Sequence, residues 1–96
     1  MLLRERLAEL REAIHSAAAA SGAIEIRVFG SVARGQEREE SDIDFLVSLK
    51  QGRTLLDLAR LELQLEQLLG QRVDVVTLNG LREPIRSRVL QEAVSV

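Results

Sequence analysis

Apolar positions recur at intervals of three and four residues in three separate stretches of the chain, which is the pattern of helices that bury one face. Asp57 follows Thr54 by three residues at the start of the second stretch. This spacing predicts a capping box, in which each side chain bonds the backbone of the other residue. The three predicted helices cover residues 2–20, 54–69 and 84–93.

Three short runs rich in β-branched residues lie between these stretches and predict strands over residues 24–29, 43–49 and 72–78. A polar segment, residues 30–41, joins the first two strands. A whole helix joins the second and third, so these two can be parallel through a right-handed crossover. The order α-β-β-α-β-α predicts an α/β (α+β) fold in one domain over residues 1–96, with a small mixed sheet of about three strands and flanking helices.

Three aspartates lie where the predicted strands begin. Asp42 and Asp44 open the second strand and Asp74 lies near the start of the third. If the first two strands are antiparallel neighbours, all three residues come to one edge of the sheet. Asp-x-Asp alone is usually structural, but carboxylates that converge in this way would repel one another unless a cation joined them. We therefore predict that Asp42, Asp44 and Asp74 form a catalytic Mg²⁺ site.

Residues suited to binding phosphate follow the first strand at the same edge. Gly30 lets backbone approach a phosphate closely, and Ser31 offers a hydroxyl and a backbone N–H. Ser31 is expected to cap a short helix that starts near Val32, because a helix N-terminus binds anions. Arg34 is a candidate cation for the same phosphates, although an isolated arginine is more often a solvated surface residue.

Composition removes several other kinds of chemistry. The chain has no cysteine and one histidine, which excludes disulfides, thiolate metal sites and a second histidine for catalysis. A formal net charge of −2 gives no general footprint for nucleic acid, so direct nucleic-acid binding is not expected. No leader pattern and no apolar run of membrane-spanning length are visible, so we expect a cytoplasmic protein that does not bind membranes.

The glycine, serine and aspartates also form a spaced motif. Gly30 and Ser31, then ten residues, then Asp42-Ile-Asp44 resemble the Gly-Ser-x10-Asp-x-Asp signature of the polymerase-β-like nucleotidyltransferase superfamily. The longer string Phe-Gly-Ser-Val-Ala-Arg-Gly and the later Ser-Asp-Ile-Asp-Phe-Leu-Val resemble its minimal nucleotidyltransferase (MNT) domains. Asp74 in Arg-Val-Asp-Val-Val matches the third carboxylate of that family.

This resemblance covers residues 24–94 and implies a nucleotidyltransferase fold. It implies that the three aspartates bind Mg²⁺, with Mn²⁺ as a substitute, and that Gly30 and Ser31 contact the triphosphate of ATP or another NTP. One departure is Val32, where the family often has arginine. MNT proteins are usually encoded beside a helical HEPN-domain protein, and several such pairs are toxin–antitoxin modules.

The resemblance therefore implies an antitoxin that moves AMP, or another NMP, from ATP to a hydroxyl of a HEPN-type toxin, with tyrosine as the expected acceptor. One alternative is a non-catalytic antitoxin that neutralises its partner by contact alone; the intact set of three aspartates favours transfer. Another alternative is a fragment of a larger transferase that acts on small molecules. With only two aromatic residues to hold a base or acceptor, the chain does not favour that alternative.

Overall fold

The structure is a computed structural model that describes residues 3–36 and 42–96. Over these residues a four-stranded mixed sheet carries helices on one face, and the strand order is three, two, one, four in chain numbering. In chain order the elements are α1 (Leu3–Glu9), α2 (Arg11–Ala20), β1 (Ala23–Phe29), β2 (Ile43–Leu49), α3 (Leu55–Leu69), β3 (Val73–Thr77), a 3₁₀ turn (Leu78–Gly80), α4 (Ile85–Glu92) and β4 (Val94–Ser95).

The hydrophobic core lies between one face of the sheet and helices α1, α2 and α3. Alternation along β2 sends Ile43, Phe45 and Val47 into this core, whereas Asp44 and Leu46 point to the opposite face. The helices contribute a stripe of buried residues to the same cluster. These are Leu3, Leu7, Ile14, Ala18, Leu61, Leu65 and Leu69.

Helix α3 begins and ends as the sequence predicts. The Thr54 hydroxyl accepts a hydrogen bond from the Leu56 N–H at 3.3 Å, and Asp57 Oδ2 accepts one from the Thr54 N–H at 2.9 Å. The Thr54 side chain also accepts a bond from the Asp57 backbone, and the two reciprocal bonds between Thr54 and Asp57 form the predicted capping box. At the other end Gly70 adopts a left-handed conformation with φ of 70° and closes the helix.

The sheet topology brings the starts of β2 and β3 to the end of β1. Strands β1 and β2 are antiparallel, and Phe29 lies opposite Asp44. Strands β2 and β3 are parallel, and Asp44 is the register partner of Asp74. The predicted mixed sheet and the predicted meeting of these segments at one edge are both confirmed.

Two details differ from the sequence prediction. The first predicted helix is two helices that meet at Leu10. The Leu10 N–H donates to the Arg6 carbonyl at 3.0 Å, and the Ile14 N–H donates to the Leu10 carbonyl at 2.9 Å. Because these helical hydrogen bonds continue through Leu10, the break is a local bend. The sheet also has a fourth strand, β4, which pairs with Arg27 and Val28 of β1. A strand of two residues is too short to show an alternating pattern, so the predicted count of about three strands was one short.

The second half of the predicted polar segment, residues 37–41, lies outside the described residues. In the part of the chain that is described, no helix is both long enough and apolar enough to cross a membrane.

Candidate active site

The three predicted aspartates come to one edge of the sheet. Asp44 and Asp74 are register partners in adjacent parallel strands, whose backbones run about 4.8 Å apart. Asp42 stands one residue before β2 and is exposed. Asp42 and Asp44 both line an open cavity of about 570 Å³, and the exposed Asp74 stands beside Asp44 outside the cavity lining.

The surroundings of the Asp44 carboxyl raise its pKa. Burial of the half-buried side chain raises its pKa above the ordinary value of 3.8, and the negative charges of Asp74 and Asp42 raise it further. Glu92 adds to this effect, and the positive charge of Arg34 opposes it. A cation at this position would remove the repulsion that raises the pKa of Asp44.

The backbone of Gly30 lies close to the Asp44 carboxylate. It follows β1 directly and has a φ of +73°, a conformation that side chains other than glycine rarely adopt. A Cβ at this position would overlap Oδ2 of Asp44 and would stand 3.3 Å from its Cγ. The turn therefore favours glycine, and any larger residue would also push the Asp44 carboxylate aside.

The segment after Gly30 is a run of turns rather than the short helix that the sequence suggested. The Arg34 N–H bonds the Gly30 carbonyl at 3.1 Å and the Gln36 N–H bonds the Ser31 carbonyl at 2.8 Å, so the bonds do not repeat in a helical pattern. Ser31 is half-buried and lines the cavity, but it caps no helix in the described residues. Val32 is 3% exposed and packs in the core, so it points away from any phosphate.

One charged residue that lines the cavity and contacts the loop after β1 is missing from the sequence prediction. Glu92, near the end of α4, accepts a hydrogen bond from the Gly30 N–H at 3.0 Å. The same oxygen, Oε1, pairs with Arg34 Nη1 at 2.5 Å. Its other oxygen lies 3.7 Å from Nε of Arg88, and the Glu92 side chain is 17% exposed. Arg34 thus lines the predicted phosphate region, but its guanidinium already has a carboxylate partner.

No local signal in the sequence identifies Glu92. It lies four residues after Arg88 on an amphipathic helix, which is the ordinary spacing of a surface ion pair. Its position in the site depends on how α4 returns to β1, where β4 pairs with Arg27 and Val28. Ile85 and Val89 of α4 line the same cavity for the same reason.

The residues present suit a hard divalent cation by their chemistry. Their donors are carboxylate oxygens, which Mg²⁺ and Mn²⁺ prefer, and burial and mutual repulsion destabilise the ionised form of Asp44 when no cation neutralises it. Across residues 3–36 and 42–96 no group of three or more such side chains already stands in a metal-holding arrangement. A bound ion would therefore have to draw the carboxylates together.

Comparison with known proteins identifies the family of this chain. A sequence model of the nucleotidyltransferase domain matches residues 7–96. The chain therefore belongs to the nucleotidyltransferase domain family, an enzyme family. A solved structure provisionally assigned as a minimal nucleotidyltransferase is 55% identical, with a TM-score of 0.88 over 100% of this chain and 97% of that one.

Two further proteins extend the comparison. A protein adenylyltransferase of Thermococcus cleftensis, named MntA, is 47% identical over 75 residues, which are 78% of this chain and 76% of the relative. A toxin–antitoxin structure with AMP-PNP is 21% identical, with a TM-score of 0.72 over 98% of this chain and 72% of that one. The second likeness shows that the two chains share a fold.

Proposed function

We propose that this protein is a cytoplasmic antitoxin that transfers AMP from ATP to a hydroxyl of a HEPN-type toxin, with a tyrosine as the acceptor. The close relative named as a protein adenylyltransferase supports the reaction. The toxin–antitoxin structure with AMP-PNP supports both the kind of partner and the kind of nucleotide. The partner would form a complex with this chain, whose sparse aromatic residues offer little to hold a base or an acceptor.

The observation that carries the proposal is the contact between the two halves of the site. Asp44 stands beside Asp74 across the parallel strands, and its carboxylate packs against Gly30, the residue proposed to approach the triphosphate. The residues that we propose as metal ligands and as phosphate donors are therefore neighbours without any rearrangement of the sheet.

The reaction requires the acceptor oxygen to bond the α-phosphorus of ATP while the bond from that phosphorus to the leaving pyrophosphate breaks. The proton of the hydroxyl leaves to solvent or to a nearby carboxylate. We assign Asp42, Asp44 and Asp74 to holding Mg²⁺, which when bound supplies charge neutralisation for the phosphates. We assign Gly30, Ser31 and Arg34 to positioning the triphosphate, because positioning supplies much of the rate in this chemistry.

The test is intact-mass spectrometry of the candidate toxin, the product of the neighbouring reading frame, after incubation with this protein, ATP and Mg²⁺. Wild type should add the mass of one AMP group. Asp74→Asn should add none, because the variant loses one of the carboxylate charges that we assign to holding Mg²⁺. Asparagine keeps the shape of the side chain. The matched control is Asp57→Asn, which makes the same change in the capping box of α3 and should transfer AMP normally.

A toxin that gains no AMP yet is still inhibited by the wild-type protein would contradict transfer and would favour an antitoxin that acts by contact alone. Equal transfer by wild type and Asp74→Asn would contradict the assignment of Asp74. Replacing Mg²⁺ with Mn²⁺ should preserve transfer, and a chelator should abolish it.

A further inference from the structure

The Glu92 carboxylate pairs with two donors of the kind that bind phosphate. Backbone N–H groups beside a glycine and an arginine guanidinium are the usual donors to phosphate oxygens. Here the Gly30 N–H and Arg34 Nη1 both donate to the single oxygen Oε1 of Glu92, at 3.0 and 2.5 Å. A carboxylate oxygen with two such donors has the charge and the hydrogen-bonding pattern of a phosphate oxygen.

The surrounding charges imply that the Glu92 carboxylate would compete with a triphosphate for the same guanidiniums. The cavity is lined by the carboxylates of Asp42, Asp44 and Glu92, and Arg34 and Arg88 supply the guanidiniums among its described lining residues. Both guanidiniums lie within ion-pair distance of Glu92. A triphosphate that enters the cavity with Glu92 in place would meet a negative charge where it needs a positive one.

We propose that the Glu92 carboxylate is an internal substitute for phosphate, and that a nucleoside triphosphate binds by exchanging with it at Gly30 and Arg34. The inference rests on the proposed function for the identity of the ligand. It adds a regulatory contact: α4 sets how readily the site accepts the triphosphate, through one side chain.

Arg88 offers a charged partner for the displaced carboxylate. Arg88 precedes Glu92 by one helical turn, and its Nε lies 3.7 Å from Glu92 Oε2. Rotation of the Glu92 side chain toward Arg88 would release Gly30 and Arg34 without moving α4, and the carboxylate would keep a charged partner. The exchange therefore leaves neither the phosphate donors nor Glu92 unpaired.

The experiment is calorimetric titration of Mg²⁺ with inorganic tripolyphosphate into wild type, Glu92→Gln and Glu92→Ala. Glutamine can still accept a hydrogen bond from the Gly30 N–H but no longer carries the negative charge that competes with phosphate. We expect both variants to bind tripolyphosphate more tightly than wild type, by roughly two- to fivefold, the range that corresponds to a partly exposed ion pair. Glu12→Gln, which removes an equal charge from the exposed face of α2, should bind as wild type.

Equal or weaker binding by Glu92→Gln, with an unchanged melting temperature, would overturn the inference and would assign Glu92 to holding the loop in place. Absence of binding by all variants would overturn both the exchange and the phosphate role of the loop. A result with tighter binding by Glu92→Gln but no AMP transfer to any toxin would contradict only the proposed function, so the two ideas fail separately.

Discussion

Replacement of Gly30 by alanine tests the contact on which the candidate site depends. The residue has a φ of +73°, and a left-handed conformation costs a non-glycine residue about 1–2 kcal/mol. The new Cβ would also overlap the Asp44 carboxylate, which must then move. We expect a total loss of about 2 kcal/mol in the free energy of unfolding, in the range for strained backbone positions. For a domain of this size that lowers the melting temperature by about 10 °C.

Gly52 offers a matched control in the same chain. It has a φ of +90° and nothing within 4 Å of the position that a Cβ would take. Gly52→Ala therefore introduces comparable backbone strain without touching the aspartates. It should lower the melting temperature and leave Mg²⁺-dependent binding of a triphosphate unchanged.

The assay combines thermal melting with calorimetric titration of a non-hydrolysable ATP analogue and Mg²⁺, at a temperature where both variants are folded. Gly30→Ala should bind at least about tenfold more weakly than Gly52→Ala, a difference of ~1.4 kcal/mol. If folded Gly30→Ala bound the analogue as tightly as Gly52→Ala, neither close phosphate approach at Gly30 nor the placement of Asp44 beside it would matter for binding.

Three further predictions follow from the same contacts. Because the pKa of Asp44 is raised, ionised Asp44 destabilises the metal-free fold, and stability should fall as pH rises from 3.8 through the raised pKa. Without metal, Asp44→Asn should therefore have a higher melting temperature than wild type at pH 7 and the same melting temperature below pH 3.8. The same difference in melting temperature at both pH values would refute this. Asp42→Ala combined with Asp44→Ala should weaken Mg²⁺-dependent triphosphate binding in calorimetry, and unchanged affinity would refute the metal assignment. Thr54→Ala should cost about 1 kcal/mol in a denaturant melt by removing the helix cap, with triphosphate binding unaffected.

Much of the fold follows from local patterns because α3 and the first three strands carry their own signals. The bounds of β2 agree with the prediction at both ends, since a run of apolar residues begins after Asp42 and a Gln-Gly turn follows Lys50. The capping box defined the start of α3 and Gly70 defined its end. Parallel and antiparallel pairings inferred from the connections bring the aspartates to one edge of the sheet, and the structure adds the register that makes Asp44 the partner of Asp74.

The parts that could not be predicted depend on tertiary contacts. The bend at Leu10 interrupts a stretch whose apolar spacing is continuous, so the pattern shows one helix where the backbone forms two. Strand β4 has two residues and takes its conformation from β1 rather than from its own sequence. Glu92 has the spacing of a surface ion pair with Arg88, and only the return of α4 to β1 brings it to Gly30.

The two halves of the candidate site differ in how firmly they are held, and this difference bears on how the site can be adjusted. Strand register fixes Asp44 and Asp74, and Gly30 follows the end of β1 in a left-handed turn, so a change at any of the three alters the geometry itself. Glu92 and Arg34 meet through side-chain contacts between α4 and a loop, so a change there alters charge and leaves the sheet as it is. Substitutions on the strands should therefore remove metal-dependent binding, whereas substitutions on α4 should tune phosphate affinity in either direction. We therefore expect substitutions on α4 to change phosphate affinity while the placement of the aspartates stays as it is.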